Sequence, residues 1–528
     1  MPNTTLFQTL RGMLTPPADA LNHEAAPAYA LGPREALAQL AATGCLNATF
    51  YASAEAQLDD VLALAAQVDA EFVAKAAVAA REHGYMKDMP ALLVAHLATR
   101  DTALMERVFP RVVDSGRMLR TVVQILRSGA VGRKSLGTAP RRMVRDWLAA
   151  RSDEALFRAS VGNQPSLADV VKMVHPRPGT ASRRALYGYL LGRDHAVEDL
   201  PEIVRATEAT KADPAAAAEA GAIPDVPFQM LASLAFDSEE TERAVWAEIA
   251  RTAPWHATRM NLNAFARHGA FAEPGVAATV AARLADPESV RRARAFPYQL
   301  FVAYSQVSAD VPHVVREALQ DAMEIAIGNV PAVEGRVVVC PDVSGSMRSP
   351  VTGYRRGATS VVRCVDVAAL IAAAVVRKNP AARVLPFEQR VVDVRLNARD
   401  SIMTNAAALA SVGGGGTNCS APLARLNAER AEVDLVFLVS DNESWVDARP
   451  WRSGTATMQE WNRLKARNPG AKLVCLDMQP YRTVQAAPRA DVLHVGGFSD
   501  RVFEVVAAFA AGTLGPDHWV GQIEALSI

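Results

Sequence analysis

Cys340-Pro-Asp-Val-Ser-Gly-Ser-Met347 is the stretch of this 528-residue chain that decides its C-terminal fold. Just upstream, Arg336-Val-Val-Val-Cys340 has the short, β-branched character of a parallel strand buried on both faces. An open α/β sheet presents its ligands at the carboxyl ends of such strands. There the Asp-x-Ser-x-Ser triplet sets one carboxylate and two hydroxyls on a single tight loop, a donor set that suits a hard cation and leaves room for water and a further ligand. Two later segments extend it. Gly413-Gly-Gly-Gly-Thr-Asn418 supplies a hydroxyl after a glycine run, and Asp434-Leu-Val-Phe-Leu-Val-Ser-Asp-Asn442 is a second buried-strand run ending on an acid. Asp342, Ser344, Ser346, Thr417 and Asp441 together form a candidate divalent-cation site, with Mg²⁺ the expected ion.

In order and spacing these five residues resemble the metal-ion-dependent adhesion site of von Willebrand factor A domains. The resemblance implies that Ser344, Ser346 and Thr417 contact the metal directly or nearly so, and that Asp342 and Asp441 act directly or through water. It also implies that a carboxylate-bearing protein partner can complete the metal's coordination. The triplet alone equally suits a Ser-rich turn capping the next helix, and Thr417 and Asp441 are what tip the reading. A phosphatase of the haloacid dehalogenase type also starts from an Asp after a strand. It needs a second carboxylate two residues on as general acid, and Ser344 stands there.

Around this core the pattern after Pro331 alternates strands and helices. Strands are expected at Arg336 to Pro341, Ala382 to Pro386, Arg390 to Val394, Asp434 to Ser440, Lys472 to Asp477 and Asp491 to His494. Helices are expected at Val361 to Lys378, Ser401 to Ser411, Ala421 to Glu429, Met458 to Arg467 and Arg501 to Ala510. That alternation predicts a doubly wound α/β sheet over residues 332–528. Residues 1–331 read instead as amphipathic helices separated by short breaks. Examples are Pro33 to Ala42, Ala54 to Val68, Ala70 to Glu82, Pro90 to Ala98, Glu106 to Val113, Gly116 to Gly129, Arg141 to Arg151 and Ser152 to Gly162. No strand pattern interrupts them, and stacked helix pairs of a degenerate α-solenoid are expected. The Ala215 to Ala222 stretch fits either a helix or a mobile loop.

Length beyond a single core agrees with two domains. Five scattered cysteines (Cys45, Cys340, Cys364, Cys419, Cys475) form no Cys-x-x-Cys pair, which argues against zinc or disulfide frameworks. With no cationic leader and no long uncharged apolar run, a cytosolic protein without membrane contact is expected. The formal charge is zero, yet Arg107 to Arg193 holds seventeen Lys and Arg against five Asp and Glu. A surplus sustained that far points to a polyanion, although arginines on helices also simply solvate outer faces. The candidates for RNA contact are Arg133, Lys134, Arg141, Arg142, Arg145, Arg158, Lys172, His175, Arg177, Arg183 and Arg184. Trp147, Phe157, Tyr187 and Tyr189 are few and core-like, so backbone contact outweighs base stacking.

Two decoys fall away. Gly129-Ala-Val-Gly-Arg-Lys-Ser135 lacks the Gly before Lys134 and the preceding strand that a phosphate loop needs. His195, His256 and His268 stand singly in helical sequence. No nucleophile triad or nuclease carboxylate cluster appears, so no catalysis is expected.

Several N-terminal strings resemble the TROVE module of Ro autoantigen proteins. These are Gly132-Arg-Lys-Ser135, Arg141-Arg-Met-Val-Arg-Asp-Trp-Leu148, Ser166-Leu-Ala-Asp-Val-Val-Lys-Met-Val-His-Pro-Arg-Pro178, Asn261-Leu-Asn-Ala-Phe-Ala-Arg-His-Gly269 and Arg292-Ala-Arg-Ala-Phe-Pro-Tyr-Gln-Leu300. Gly413 to Ser420 and Ser440-Asp-Asn-Glu443 are similar to that family's version of the A domain. The resemblance spans essentially the whole chain. It implies a HEAT-like helical-repeat ring closed by the A domain, binding small noncoding Y RNA on its outer basic surface and the single-stranded 3′ ends of misfolded or structured RNAs in its hole. His175 stands where the family places an RNA-contacting histidine, and a C-terminal histidine offsetting the helix dipole fits equally. The resemblance further implies partnership with an exoribonuclease such as polynucleotide phosphorylase, and a scaffold or chaperone role in RNA quality control, processing and stress response.

Overall fold

Val337–Pro341 (β3), Leu435–Ser440 (β5) and Lys472–Asp477 (β6) become neighbouring parallel strands because their side chains have apolar partners on both faces. With Arg383–Val384 (β4) and Val492–Gly496 (β8) they form one parallel sheet in the order β4-β3-β5-β6-β8. Alternate residues serve opposite layers. Val338, Cys340, Val436, Leu438, Leu473 and Cys475 cluster with Leu423 and Leu426 of helix Ala421–Ala428 and with Met458, Trp461 and Leu464 of helix Ala456–Arg467. Val337, Leu435 and Phe437 meet Val375 of helix Cys364–Lys378 and Phe503 and Val506 of helix Arg501–Ala510. The sheet is therefore doubly wound, and its strands carry the candidate loops at their carboxyl ends. The structure, a computed structural model, describes residues 15–44, 46–231, 234–293, 297–328, 330–354, 362–445, 454–496, 501–514 and 518–528. Cys45, the first residue of the expected helix at Val361, and positions 294–296 of the Arg292 to Leu300 string lie outside them.

The region around Arg390 to Val394 differs from expectation. It holds only a bridge between Phe387 and Val391, and the preceding strand contracts to β4. The chain folds back on itself there: Glu388 N–H donates to Arg390 O at 3.0 Å and Val392 N–H to Pro386 O at 2.7 Å, so the backbone groups a strand would offer are used in a turn.

The N-terminal residues also depart from the all-helical reading. Ala20–Leu21 (β1) and Pro27–Ala30 (β2) form an antiparallel hairpin whose second strand pairs with Thr483–Val484 (β7). Asn22 makes the turn, its Oδ1 accepting from the backbone N–H of Glu24 and Ala26. One compact unit accordingly runs over Met1–Phe72 and Ile327–Ser527, and the other over Val73–Ala295 and Gln299–Ala326, whereas the sequence suggested a division at 331.

The second unit is built of short helices with local stop and start signals. Asp101, Ser115, Ser152, Ser166 and Thr180 each cap a helix through a side-chain oxygen, and Ser166 with Asp169 closes a capping box. Gly116 lets helix Gly116–Ser128 approach helix Asp153–Ala159 closely, since a Cβ there would lie 2.6 Å from that of Ala159. Within Ala215 to Ala222 the chain is helical over Pro214–Glu219 and then turns.

Candidate functional site

The loop after β3 is locked from several sides. Asp342 N–H donates to Val439 O at 2.9 Å and Val343 N–H to Phe387 O at 2.8 Å, while Gly345 N–H and Gly414 N–H tie this loop to the glycine run through Gly415 O and Val343 O, each at 2.8 Å. Gly413 has a φ of +75°, and a Cβ there would lie 2.4 Å from Val343 O, so this close approach demands glycine. Gly416 lies under the indole of Trp445. These constraints bring all five sequence-predicted ligands to the ends of β3 and β5. Asp342, Ser344, Ser346, Thr417 and Asp441 are all buried.

Their polar atoms converge. Asp342 Oδ1 accepts from Ser344 N–H at 2.8 Å, its Oδ2 accepts from the Ser440 hydroxyl at 2.5 Å, and the Ser344 and Ser346 hydroxyls are 3.2 Å apart. Ser346 also hydrogen-bonds the Asp441 carboxyl and the Tyr51 phenol. Burial pushes Asp342 up to about 6, against the pull of the hydrogen bonds from Ser344 and Ser440. Burial also holds Asp441 well above the usual carboxylate range, and the Asp342 charge adds to it. Among the described residues neither Asp342 nor Asp441 is in an ion pair, so two acids and three hydroxyls make a donor set short of positive charge. That is the chemistry a dication fits: Ser344, Ser346 and Thr417 would hold it with oxygen atoms and the two aspartates would balance its charge. When bound, it would supply a Lewis-acidic position open to an oxygen ligand.

Around the ligands lies a shell the sequence reading did not include. Glu443 is fully buried, accepts from His23 N–H at 2.8 Å and faces His23 Nδ1 at 3.1 Å, a contact that raises the imidazole pKa. Asn22 Nδ2 donates to Ser444 O at 2.7 Å. The His23 and Tyr481 rings lie 4.6 Å apart, and Tyr481 shares a hydrogen bond of 2.9 Å with Thr49. Glu388 accepts from Gly415 N–H at 2.8 Å. The N-terminal hairpin and the Thr49 to Tyr51 segment thus pack directly on the ligand loops.

In the helical unit the basic candidates separate into two groups. Arg183 bonds Asp153, Leu148 O and Arg151 O; Arg133 bonds Ala98 O and Leu136 O; Arg158 bonds Asp225 and Glu154. Arg142 pairs with Glu106 at 2.5 Å, and Arg145 donates to Val174 O at the end of helix Leu167–Val174. These five are engaged in holding helices together. Lys134, Arg141, Lys172, His175, Arg177 and Arg184 are exposed instead. Lys172, His175 and Arg184 line one open cavity of about 500 Å³ with Tyr187 and Arg193. His175 ends its helix in the left-handed conformation at φ 49°, and Pro176 and Pro178 carry the chain away from it.

The comparisons agree with this architecture. The Ro60 vWA domain model matches residues 336–510 and the TROVE domain model residues 235–330. The chain is 27% identical over 524 residues to the RNA-binding protein RO60 of Deinococcus radiodurans, covering 92% of this chain and 94% of that protein. The crystal structure of the Deinococcus radiodurans RO (RSR) protein shares its fold with a TM-score of 0.65 at 23% identity, over 92% of this chain and all of that one. The chain carries a TROVE domain and a Ro60-type vWA domain.

A helical repeat-rich part thus accompanies a parallel-sheet vWA domain. Of the residues around the candidate metal loop, Glu443 lay within a quoted motif, while His23, Tyr51 and Tyr481 had no local signal. Among the described residues no helix is long and apolar enough to cross a membrane, and Cys340, Cys364, Cys419 and Cys475 are all free thiols.

Proposed function

We propose that this protein is a noncatalytic RNA-binding scaffold of RNA quality control. The observation that carries the reading is the cavity lined by Lys172, His175 and Arg184, whose side chains make no hydrogen bond or ion pair among the described residues and so remain available to phosphate. Lys134, Arg141 and Arg177 add exposed positive charge in the same unit. Such cations supply affinity through phosphate contact and counterion release. The Deinococcus relative's description as an RNA-binding protein supports the same reading.

In finer terms, the ligands are small noncoding Y RNA and the 3′ ends of misfolded or structured RNAs, and the protein works in the cytoplasm during processing and stress. The A domain holds Mg²⁺ through Asp342, Ser344, Ser346, Thr417 and Asp441, and a carboxylate-bearing protein docks on it. An exoribonuclease such as polynucleotide phosphorylase is the enzymatic partner, as the resemblance to Ro proteins implies. The buried, cation-poor donor set favours this metal-dependent protein contact as a second activity beside RNA binding.

The test is binding of a structured small RNA with and without a single-stranded 3′ tail across a salt series, in EDTA and in Mg²⁺. Tail-enhanced, salt-steep binding that survives EDTA and is weakened, with a shallower salt dependence, by Lys172→Ala/His175→Ala/Arg184→Ala supports the reading. Binding no better than that of a neutral control protein overturns it.

A further inference from the structure

A cavity of about 380 Å³ opens beside the edge strand β8, on the same unit as the metal loop but lined by none of its residues. Leu31, Glu35 and Gln39 border it from the end of the hairpin and helix Pro33–Thr43, and Arg489, Val492 and His494 from β8 and its approach. Its size lies within the range of about 300–1,000 Å³ that small-molecule sites occupy. One feature marks it as more than a packing gap. The His494 side chain lines the cavity, is only 9% exposed, and makes no well-formed hydrogen bond on either ring nitrogen, with only an outlying contact to the Ala486 backbone. Buried polar groups are satisfied in folded proteins, and an unsatisfied one facing a cavity points to a missing partner.

The lining restricts what that partner is. Arg489 is already committed, with Nε and Nη2 on Asp491 at 2.5 and 2.6 Å and Nη1 on Asn462 at 2.7 Å, so the cavity offers no spare positive charge for an anion. Glu35 folds back over Gly32 at the start of its helix, placing an acceptor-only carboxylate at the rim. Burial lowers the His494 pKa to about 4, so the ring is neutral at physiological pH, with one donor and one acceptor. A metal is a poor fit, since among the described residues no three His, Cys, Asp or Glu gather. What complements an acceptor at the rim and a donor–acceptor ring inside, between Leu31 and Val492, is a flat, uncharged ligand with an amino group beside a ring nitrogen.

We infer that this cavity is a binding site for an amino-bearing nucleobase, with Glu35 accepting from the exocyclic amine and His494 pairing with the ring nitrogen. Adenine and cytosine present that edge, whereas uracil lacks the amine. The base can arrive as a free nucleoside or as the end of an RNA strand, and the two sources share this chemistry. The site rests on its own lining and is independent of the basic surface of the helical unit.

The test uses the full chain, titrated by calorimetry with adenosine, cytidine and uridine, with inorganic phosphate and spermidine as charge controls. Variants are Glu35→Gln and the rim-filling Val520→Trp, both at partly exposed positions, with melting curves confirming that they fold. Saturable binding of adenosine or cytidine, weakened roughly tenfold or more in Glu35→Gln as expected for loss of a charge-assisted hydrogen bond, supports the site. Loss in Val520→Trp supports it further. A chemical-shift change of the histidine signal that disappears in His494→Gln would place the ligand against that ring. No saturable nucleoside binding overturns the inference, as does binding that both variants leave unchanged or that uridine, phosphate or spermidine match. In a competition arm, a single-stranded RNA that displaces the nucleoside identifies a strand end as the source, and one that does not identifies the free nucleoside.

Discussion

Replacing Asp342 by Asn should stabilise the cation-free protein and remove its response to Mg²⁺. The carboxyl is pushed from 3.8 up to about 6 by burial. A folded-state pKa above the unfolded one means that the native state binds the extra proton between about pH 4 and pH 6, so stability falls as pH rises through that window and stays low above it. Two units at about 1.36 kcal/mol each give a penalty of ~3 kcal/mol at neutral pH. Asn removes the charge while its carbonyl can still accept from Ser344 N–H, and Ser440 can turn its hydroxyl to accept from the new amide. Weaker bonds at these two contacts cost about 1 kcal/mol, leaving a net gain of ~1–2 kcal/mol in EDTA. For a unit of this size that is a rise of several degrees, roughly 2–4 °C per kcal/mol, in its melting transition. Mg²⁺ at about a hundred times its dissociation constant should stabilise the natural protein by ~2.7 kcal/mol and leave the variant unmoved, so the ranking of the two inverts. Differential scanning calorimetry in EDTA and in Mg²⁺, near pH 5 and above pH 7, reads all four corners. A variant that melts lower than the natural protein in both conditions, with no Mg²⁺ effect on either, would refute the reasoning.

Five further outcomes are expected. Lys172→Ala/His175→Ala/Arg184→Ala should flatten the salt dependence of RNA binding by about 0.7 in slope for each lost phosphate contact to a single strand. Arg183→Ala, whose guanidinium is spent on Asp153 and two carbonyls, should lower the melting temperature and leave that slope alone. His494, held neutral with its pKa lowered to about 4, should cost up to ~3 kcal/mol of stability as pH falls from about 6.5 through 4, because the unfolded chain takes the proton first, and urea titrations of His494→Leu should show a flatter acid limb. Gly413→Ala should destabilise by roughly 1–3 kcal/mol through its positive φ and the clash with Val343 O. Gly416→Ala should cost less in the same melts, since the indole it meets belongs to Trp445, 42% exposed and free to swing aside.

Much of the A domain was legible because its information is local. β3, β5 and β6 are buried on both faces, so each announces itself as a run of Val and Leu, and each ligand stands within a few residues of a strand end or glycine turn. The shell around those ligands was not legible, because His23 reaches Glu443 across 420 positions of sequence. β1, β2 and β7 are equally opaque: two-to-four-residue strands carry too little periodicity to stand out, and β2 becomes a strand through its pairing with β1 and with the distant β7. The basic segment shows the same limit at finer grain. Arg183 and Arg184 are adjacent and chemically identical, yet one turns inward to Asp153 and the other lines an open cavity, a difference set by helix phase against neighbours no local pattern reveals.

The ends of β3, β5 and β6 gather Asp342, Asp441, Glu443 and Asp477, all buried. Among the described residues the one ion pair to this group is that of His23 with Glu443. Asp477 is pushed up to about 7 by burial, with one oxygen held by Asn442 at 2.8 Å and the other without a hydrogen bond. Asn442 itself takes a left-handed φ of 60°, a conformation Asn tolerates better than most residues, so that its side chain can reach across to β6 while Asp441 stays on the ligand side. Such a cluster is costly for stability when nothing balances it, since buried like charges raise one another's pKa. It is well suited to a dication, which repays the desolvation of several acids at once and which a lone ammonium could not replace. The energetic penalty of the empty arrangement and its affinity for the ion therefore have one origin. A variant that relieves the first must weaken the second, which is why stability and cation response are expected to move in opposite directions.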